Sequence, residues 1–168
     1  MQISMYEMLV PTVNRMLNNL SVLLDKAEAF AAHKKIEQSV LLGSRLAPDM
    51  FPLTRQVQIA CDMVKGGAAR LAGVEVPSFP DTEVTIAELK GRIAKNLEFI
   101  NGLDAAKFQG SEDRDIVLKA RAGDLNFKGL SYLRDFVLPH FYFHATTTYA
   151  ILRHNGVEIG KSDFIGKQ

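Results

Sequence analysis

Apolar residues recur at three- and four-residue steps over most of the chain, the spacing that gathers side chains on one face of an α-helix. In the first such run Leu9, Val13, Leu17, Leu20, Leu24 and Ala27 share a face, which predicts a helix from about Ser4 to Ala32. Pro11 lies inside it and, having no amide to donate, is expected to kink the helix or restart it. A short piece from Ile36 to Leu42 follows, closed by Gly43 and Pro48. A second stripe of Leu53, Val57, Ala60, Val64, Ala68 and Leu71 predicts a helix from about Pro52 to Leu71. Gly73 is placed to stop it, and Pro77 and Pro80 keep the following link non-helical. A third long helix is expected to open at Asp81-Thr82-Glu83, where capping oxygens and acidic groups suit a helix N-terminus, and to reach Asn101-Gly102. Its buried face is Ile86, Leu89, Ile93, Leu97 and Ile100.

The period then changes. Ile116, Leu118 and Ala120 alternate with polar neighbours, Ala122-Gly123-Asp124 can turn the chain, and Leu125 and Phe127 alternate again. Alternation of this kind predicts a small β-hairpin within Asp115 to Phe127. A last helix is expected from about Leu130 to Arg153, bent at Pro139 and ended by Asn155-Gly156. The glycine-punctuated tail from Val157 is expected to lie across the surface of the bundle. Together these elements describe an all-α four-helix bundle with one hairpin before its last helix, a single domain over residues 1–168.

Composition narrows the functions available. With 47% apolar and 23% charged residues, the chain can bury a core without disulfides. Its 20 basic and 19 acidic side chains nearly cancel, so no positive surface is on hand for a phosphate backbone, and nucleic acid is not an expected partner. No uncharged apolar run approaches the roughly 18 residues of a membrane span, and the N-terminus lacks the pattern of a secretion signal. The single cysteine, Cys61, suits a reducing compartment. A cytoplasmic protein is the expectation.

The strongest chemical signal is His140 and His144, whose spacing of four stacks two imidazoles on one helical face, as metals favour. Leu133, Val137, Thr147, Thr148 and Ile151 project to the same face, so the pair is expected to point into the bundle. A bound cation is one way to satisfy ring nitrogens there, and a bond from each ring to a nearby hydroxyl or carbonyl is the other. Gln56 lies about 70° from the centre of its helix's apolar stripe and borders the core, where it holds a water or a substrate group or caps a backbone group. Gln58, about 130° away, should face water with Asp62 and Lys65. Cys61 has no clear base beside it and reads as a small buried hydrophobe, while His33 and His154 sit at helix ends, where cations are favoured.

Several segments, taken in order, resemble those of an uncharacterised bacterial family of unknown function. They are Leu46-Ala47-Pro48-Asp49-Met50-Phe51-Pro52-Leu53, Gln56-Val57-Gln58-Ile59-Ala60-Cys61-Asp62 and Ala69-Arg70-Leu71-Ala72-Gly73-Val74-Glu75-Val76-Pro77. Tyr149-Ala150-Ile151-Leu152-Arg153-His154-Asn155-Gly156 and Gly160-Lys161-Ser162-Asp163-Phe164-Ile165-Gly166 complete the set. That family is similar to the DinB-like superfamily, a resemblance that implies an antiparallel four-helix bundle with a cavity, often dimeric. It further implies one divalent metal, zinc or nickel, held by three histidines, in proteins some of which are hydrolases or thiol transferases. His140 and His144 match the four-spaced pair of that set. The histidine from the second long helix has no match, for Gln56 and Gln58 stand there instead.

Three readings follow. In the first, Gln56, His140 and His144 orient a small-molecule ligand between the long helices. In the second, His140 and His144 bind a metal for a hydrolase or thiol transferase. In the third, the chain is a homodimer, because Phe141, Tyr142, Phe143, Tyr149 and Leu152 exceed what one core stripe absorbs. The first is preferred, and whether the chain is an enzyme is left open.

Overall fold

The computed structural model describes residues 3–119 and 123–166. Four long helices form the bundle: α1 (Met5–Lys34), α3 (Leu53–Ala72), α4 (Ile86–Asn101) and α6 (Leu138–His154), with a short α2 (Gln38–Gly43) between the first two. A two-stranded antiparallel sheet, β1 (Asp115–Leu118) with β2 (Leu125–Lys128), precedes α5 (Gly129–Ser131). A short α7 (Lys161–Ile165) follows α6. The packing is closest between α3 and α6; α4 bridges α1 and α3, so each long helix leans on two others around one core. The expected hairpin is present, with Ile116 opposite Phe127. Two members of its expected pattern, Ala120 and Ala122, lie outside the described residues.

Three boundaries depart from the expectation, each for a local reason. Helix α1 runs unbroken through Pro11, which is exposed, as is Glu7 one turn before it; the carbonyl that proline leaves unpaired is therefore on the watered side. Its start is the expected one, with Ser4 and Glu7 forming a reciprocal capping box. Helix α4 does not open at Asp81-Thr82-Glu83, because Thr85 and Glu88 form a second capping box and set the start at Ile86. Pro139 does not bend a regular helix; it follows a π-helical stretch, Tyr132–Val137, in which Leu138 N–H donates to Leu133 O. The wider turn takes up the missing amide of proline without ending the element.

Glycine appears where backbones must close. Gly73 takes the left-handed conformation (φ 66°) that ends α3, as expected. Gly67 lies on α3 where a Cβ would stand 2.7 Å from Cγ1 of Val137, so its missing side chain lets α3 approach the π-helical stretch. The tail folds back as expected: Phe164 of α7 meets Tyr149 edge-on at 5.7 Å, and Asn19 donates to the Phe164 carbonyl. Of the large apolar residues in excess of one core stripe, Phe141 and Leu152 are buried and Tyr149 is covered by α7, leaving Tyr142 and Phe143 exposed.

Candidate functional site

The close approach of α3 and α6 brings two of the three candidate residues into contact. His144 Nδ1 donates to Gln56 Oε1 at 2.7 Å, and Gln56 Nε2 donates to the Phe51 carbonyl at 3.0 Å. Gln56 is 1% exposed, so its amide is held at both ends in a buried position. Of the two uses expected for this glutamine, the structure shows the backbone cap, and it adds the contact with the histidine helix. His140 behaves differently. Its Nδ1 donates to the Phe136 carbonyl of its own helix at 2.7 Å, and its ring packs on that of Phe136, 4.2 Å between centroids. It is half-buried. The two imidazoles share a helical face, but only His144 reaches across to α3.

Aromatic surface surrounds these polar atoms. Phe143 stands edge-on to His144 at 5.1 Å and is 57% exposed, and Phe51, whose carbonyl anchors Gln56, is 55% exposed. Behind His140, Phe136 continues into a stack with Tyr132 and Phe127. Neither Nε2 atom has a hydrogen-bond partner among the described residues. Five surface grooves of 210–470 Å³ are lined by other residues, and neither imidazole nor Gln56 lies in any of those five. Burial pushes the pKa of His144 below the ordinary 6.5, and the nearby His140 and Arg55 push it the same way.

A resident metal does not suit this donor set. Zinc takes three or four protein ligands. The third position implied by the family resemblance is filled by Gln56, whose amide oxygen is already taken by His144 Nδ1–H. Among the described residues no cluster of three or more His, Cys, Asp or Glu side chains could hold a metal ion.

The opposite side of α3 carries a feature that sequence reasoning missed. Gln58 does not face water: it is 4% exposed, and its Nε2 donates to Glu83 at 2.9 Å while its Oε1 accepts from Arg55. Arg92 of α4, its side chain 1% exposed, forms ion pairs with Asp62, Asp81 and Glu83, each at 2.9 Å. Lys65 is buried too, paired with Asp62 at 2.8 Å and lying over the Phe79 ring at 4.4 Å. The reason is the proline-containing link before α4, which lays Phe79, Asp81 and Glu83 over α3 and turns a polar helix face into an internal ion network. Burial opposes charge on Glu83, but hydrogen bonds from Arg92 and Gln58 outweigh it and hold the carboxyl below its usual range. Cys61, buried beside this network, has its thiol pushed up to about 12, chiefly by burial, which leaves it protonated and unreactive. His33 and His154 are exposed in the last turns of α1 and α6, as expected.

No membrane-length apolar helix occurs among the described residues. No curated protein matches the chain. It is similar to a solved protein, described as a DinB family member from Shewanella denitrificans, with 45% identity and a TM-score of 0.92 over 97% of this chain and 92% of that one. The family model described as "Domain of unknown function (DUF1993)" matches residues 5–165. This chain accordingly belongs to the DUF1993 family, on a DinB-like helical bundle.

Proposed function

We propose that this chain binds a small organic ligand where α3 meets the last helix, with Gln56, His140 and His144 as the polar groups that orient it. The observation that carries the reading is the hydrogen bond from His144 to Gln56, which fixes one imidazole against α3 and leaves its Nε2 uncommitted. His140 is anchored through Nδ1 in the same sense, one helical turn away. A few fixed polar atoms among exposed Phe51, exposed Phe143 and half-buried Phe136 have the composition of small-molecule sites. Thermal-shift screening of the full chain against small organic compounds, with and without a chelator, tests it. The expected result is a stabilising shift that survives the chelator and vanishes in the His140→Ala, His144→Ala double variant. A library without effect, or a shift untouched by both substitutions, would refute the reading.

The metal-dependent hydrolase or thiol transferase is its competitor in the same experiment. Near-stoichiometric zinc or nickel in untagged protein, lost on His144→Ala, would replace the ligand reading. A homodimer is a separate proposal favoured by Tyr142 and Phe143, which α6 leaves 38% and 57% exposed. Sedimentation over a range of concentrations decides it, and a monomer at every concentration would end it.

A further inference from the structure

A carbonyl oxygen accepts hydrogen bonds and cannot donate them, and this sets the protonation of both imidazoles. Gln56 Nε2 faces the Phe51 carbonyl at 3.0 Å, so the other end of the same amide, Oε1, is what His144 meets. Turning the amide over would set its oxygen against the Phe51 carbonyl and its NH₂ against Nδ1, losing one bond outright. The partner of Oε1 at 2.7 Å is therefore an Nδ1–H. Likewise, the Phe136 carbonyl at 2.7 Å requires an Nδ1–H on His140. In a neutral ring the second nitrogen then carries a lone pair and no proton. Two Nε2 lone pairs, one turn apart on one helix, thus form the free polar surface of the site, bordered by the rings of Phe136 and Phe143.

We infer that this site selects ligands presenting hydrogen-bond donors on an aromatic or apolar body, and that Gln56 is the positioning residue behind that preference, holding His144 with its proton on Nδ1. The inference rests on the ligand-binding reading above and adds the ligand's chemistry. An acceptor-only molecule of the same shape would set its oxygens against the two lone pairs and leave all of them unpaired, the situation that sites use to discriminate. Gln56 has both ends of its amide engaged by protein atoms, so its part in orienting the ligand is indirect. It acts through the imidazole, as supporting residues act through the groups they orient.

The test uses two neutral probes with the same oxygen positions on a benzene ring: resorcinol, with two O–H donors, and 1,3-dimethoxybenzene, in which two methyl groups replace those protons and leave acceptors alone. Nitrogen-15 NMR of the histidine rings in the full chain at pH 8 reads tautomer and binding together. Both rings are expected in the Nδ1–H form without any ligand, a result that needs no variant and so does not depend on one folding. Resorcinol is expected to move the Nε2 resonances of His140 and His144, binding about tenfold more tightly than the dimethoxy analogue, as one well-made hydrogen bond allows. Gln56→Met is expected to release His144 into a mixture of tautomers and to shrink that ratio, with His140 unchanged. An Nε2–H proton on either ring in the native chain would overturn the inference, as would equal affinity for the two probes. Equal binding at the rings refutes only the donor preference. Silence of both rings towards every probe refutes the ligand-binding reading itself.

Discussion

Helix α3 carries two sets of polar side chains, and the helices they face treat them in opposite ways. Towards α4, Gln58, Asp62 and Lys65 join Arg92, Asp81 and Glu83 in a network where charges meet opposite charges and amides meet partners. Among the buried polar atoms of this network, Nε of Arg92 goes without a partner in the described residues. Towards α6, Gln56 is held at both ends of its amide, and the imidazole it supports keeps its outer nitrogen unpaired among the described residues, as does that of His140. The first set has spent its hydrogen-bonding capacity on holding a link against the bundle. The second has spent its capacity on orienting two rings and has some left over. Burial does not separate the two sets; what separates them is that the imidazoles each keep an unpaired Nε2 among the described residues.

The largest expected effect comes from breaking the network. Arg92→Leu removes a guanidinium that three carboxylates surround, leaving the mostly buried Glu83 without its cation while Asp62 keeps Lys65 and Asp81 keeps Arg55. Losing one partner of a buried pair costs about 3 kcal/mol, which for a chain of 168 residues lowers the melting temperature by roughly 6–12 °C. A drop of less than 2 °C would mean that the network is solvent-screened, and the contrast with the histidine side would collapse. Gln56→Leu comes next. It strands the Nδ1–H of a buried imidazole and the Phe51 carbonyl, for about 1–3 kcal/mol by urea unfolding. If this substitution proved neutral, the bond between α3 and α6 would not order the site.

Acid separates the two regions further. The His144 pKa is lower folded than unfolded, so the unfolded chain takes up the proton first. Its contribution is complete above about pH 6.5 and is lost as pH falls below that value, at no more than about 1.4 kcal/mol per pH unit. Glu83 is also depressed, but its contribution is complete above its ordinary value of 4.5 and fades only below it. Between pH 6.5 and 5, stability curves of the native chain and His144→Gln should therefore converge. Parallel curves would show that the imidazole titrates as if exposed.

How much of this was legible beforehand depended on how local the cause was. The stripes of α1, α3 and α4, the Gly73 stop and the hairpin all follow from neighbours within a few residues, and they are where the spacing puts them. His144 and Gln56 were readable as core-facing from helical projection alone. What failed was anything set by a segment returning from a distance. Gln58 and Lys65 lie on the outward side of α3, and nothing in their own helix announces that Phe79 and Glu83 will cover them. Asp81 and Glu83 looked like helix-capping acids because the partner that claims them, Arg92, lies a full turn into the next helix. The difference between His140 and His144 was equally hidden. Both occupy the same face by spacing, yet only His144 meets a side chain of α3, while His140 bonds within its own helix.

That difference supplies the smallest and sharpest test. His140 is half-buried, bonds within its own helix and packs on Phe136, so His140→Phe keeps the ring contact and loses one part-buried bond to its own helix. The expected cost is under about 0.5 kcal/mol, within the usual range for a substitution away from the core. The charge that His140 adds beside His144 is one of the causes holding the His144 pKa down, and the variant removes it. In an NMR titration the His144 midpoint should therefore move up, part of the way towards 6.5, because burial, the larger cause, is still in place. A midpoint that does not move would mean that the two rings do not sense each other, and a site that uses both Nε2 atoms on one ligand would then be untenable.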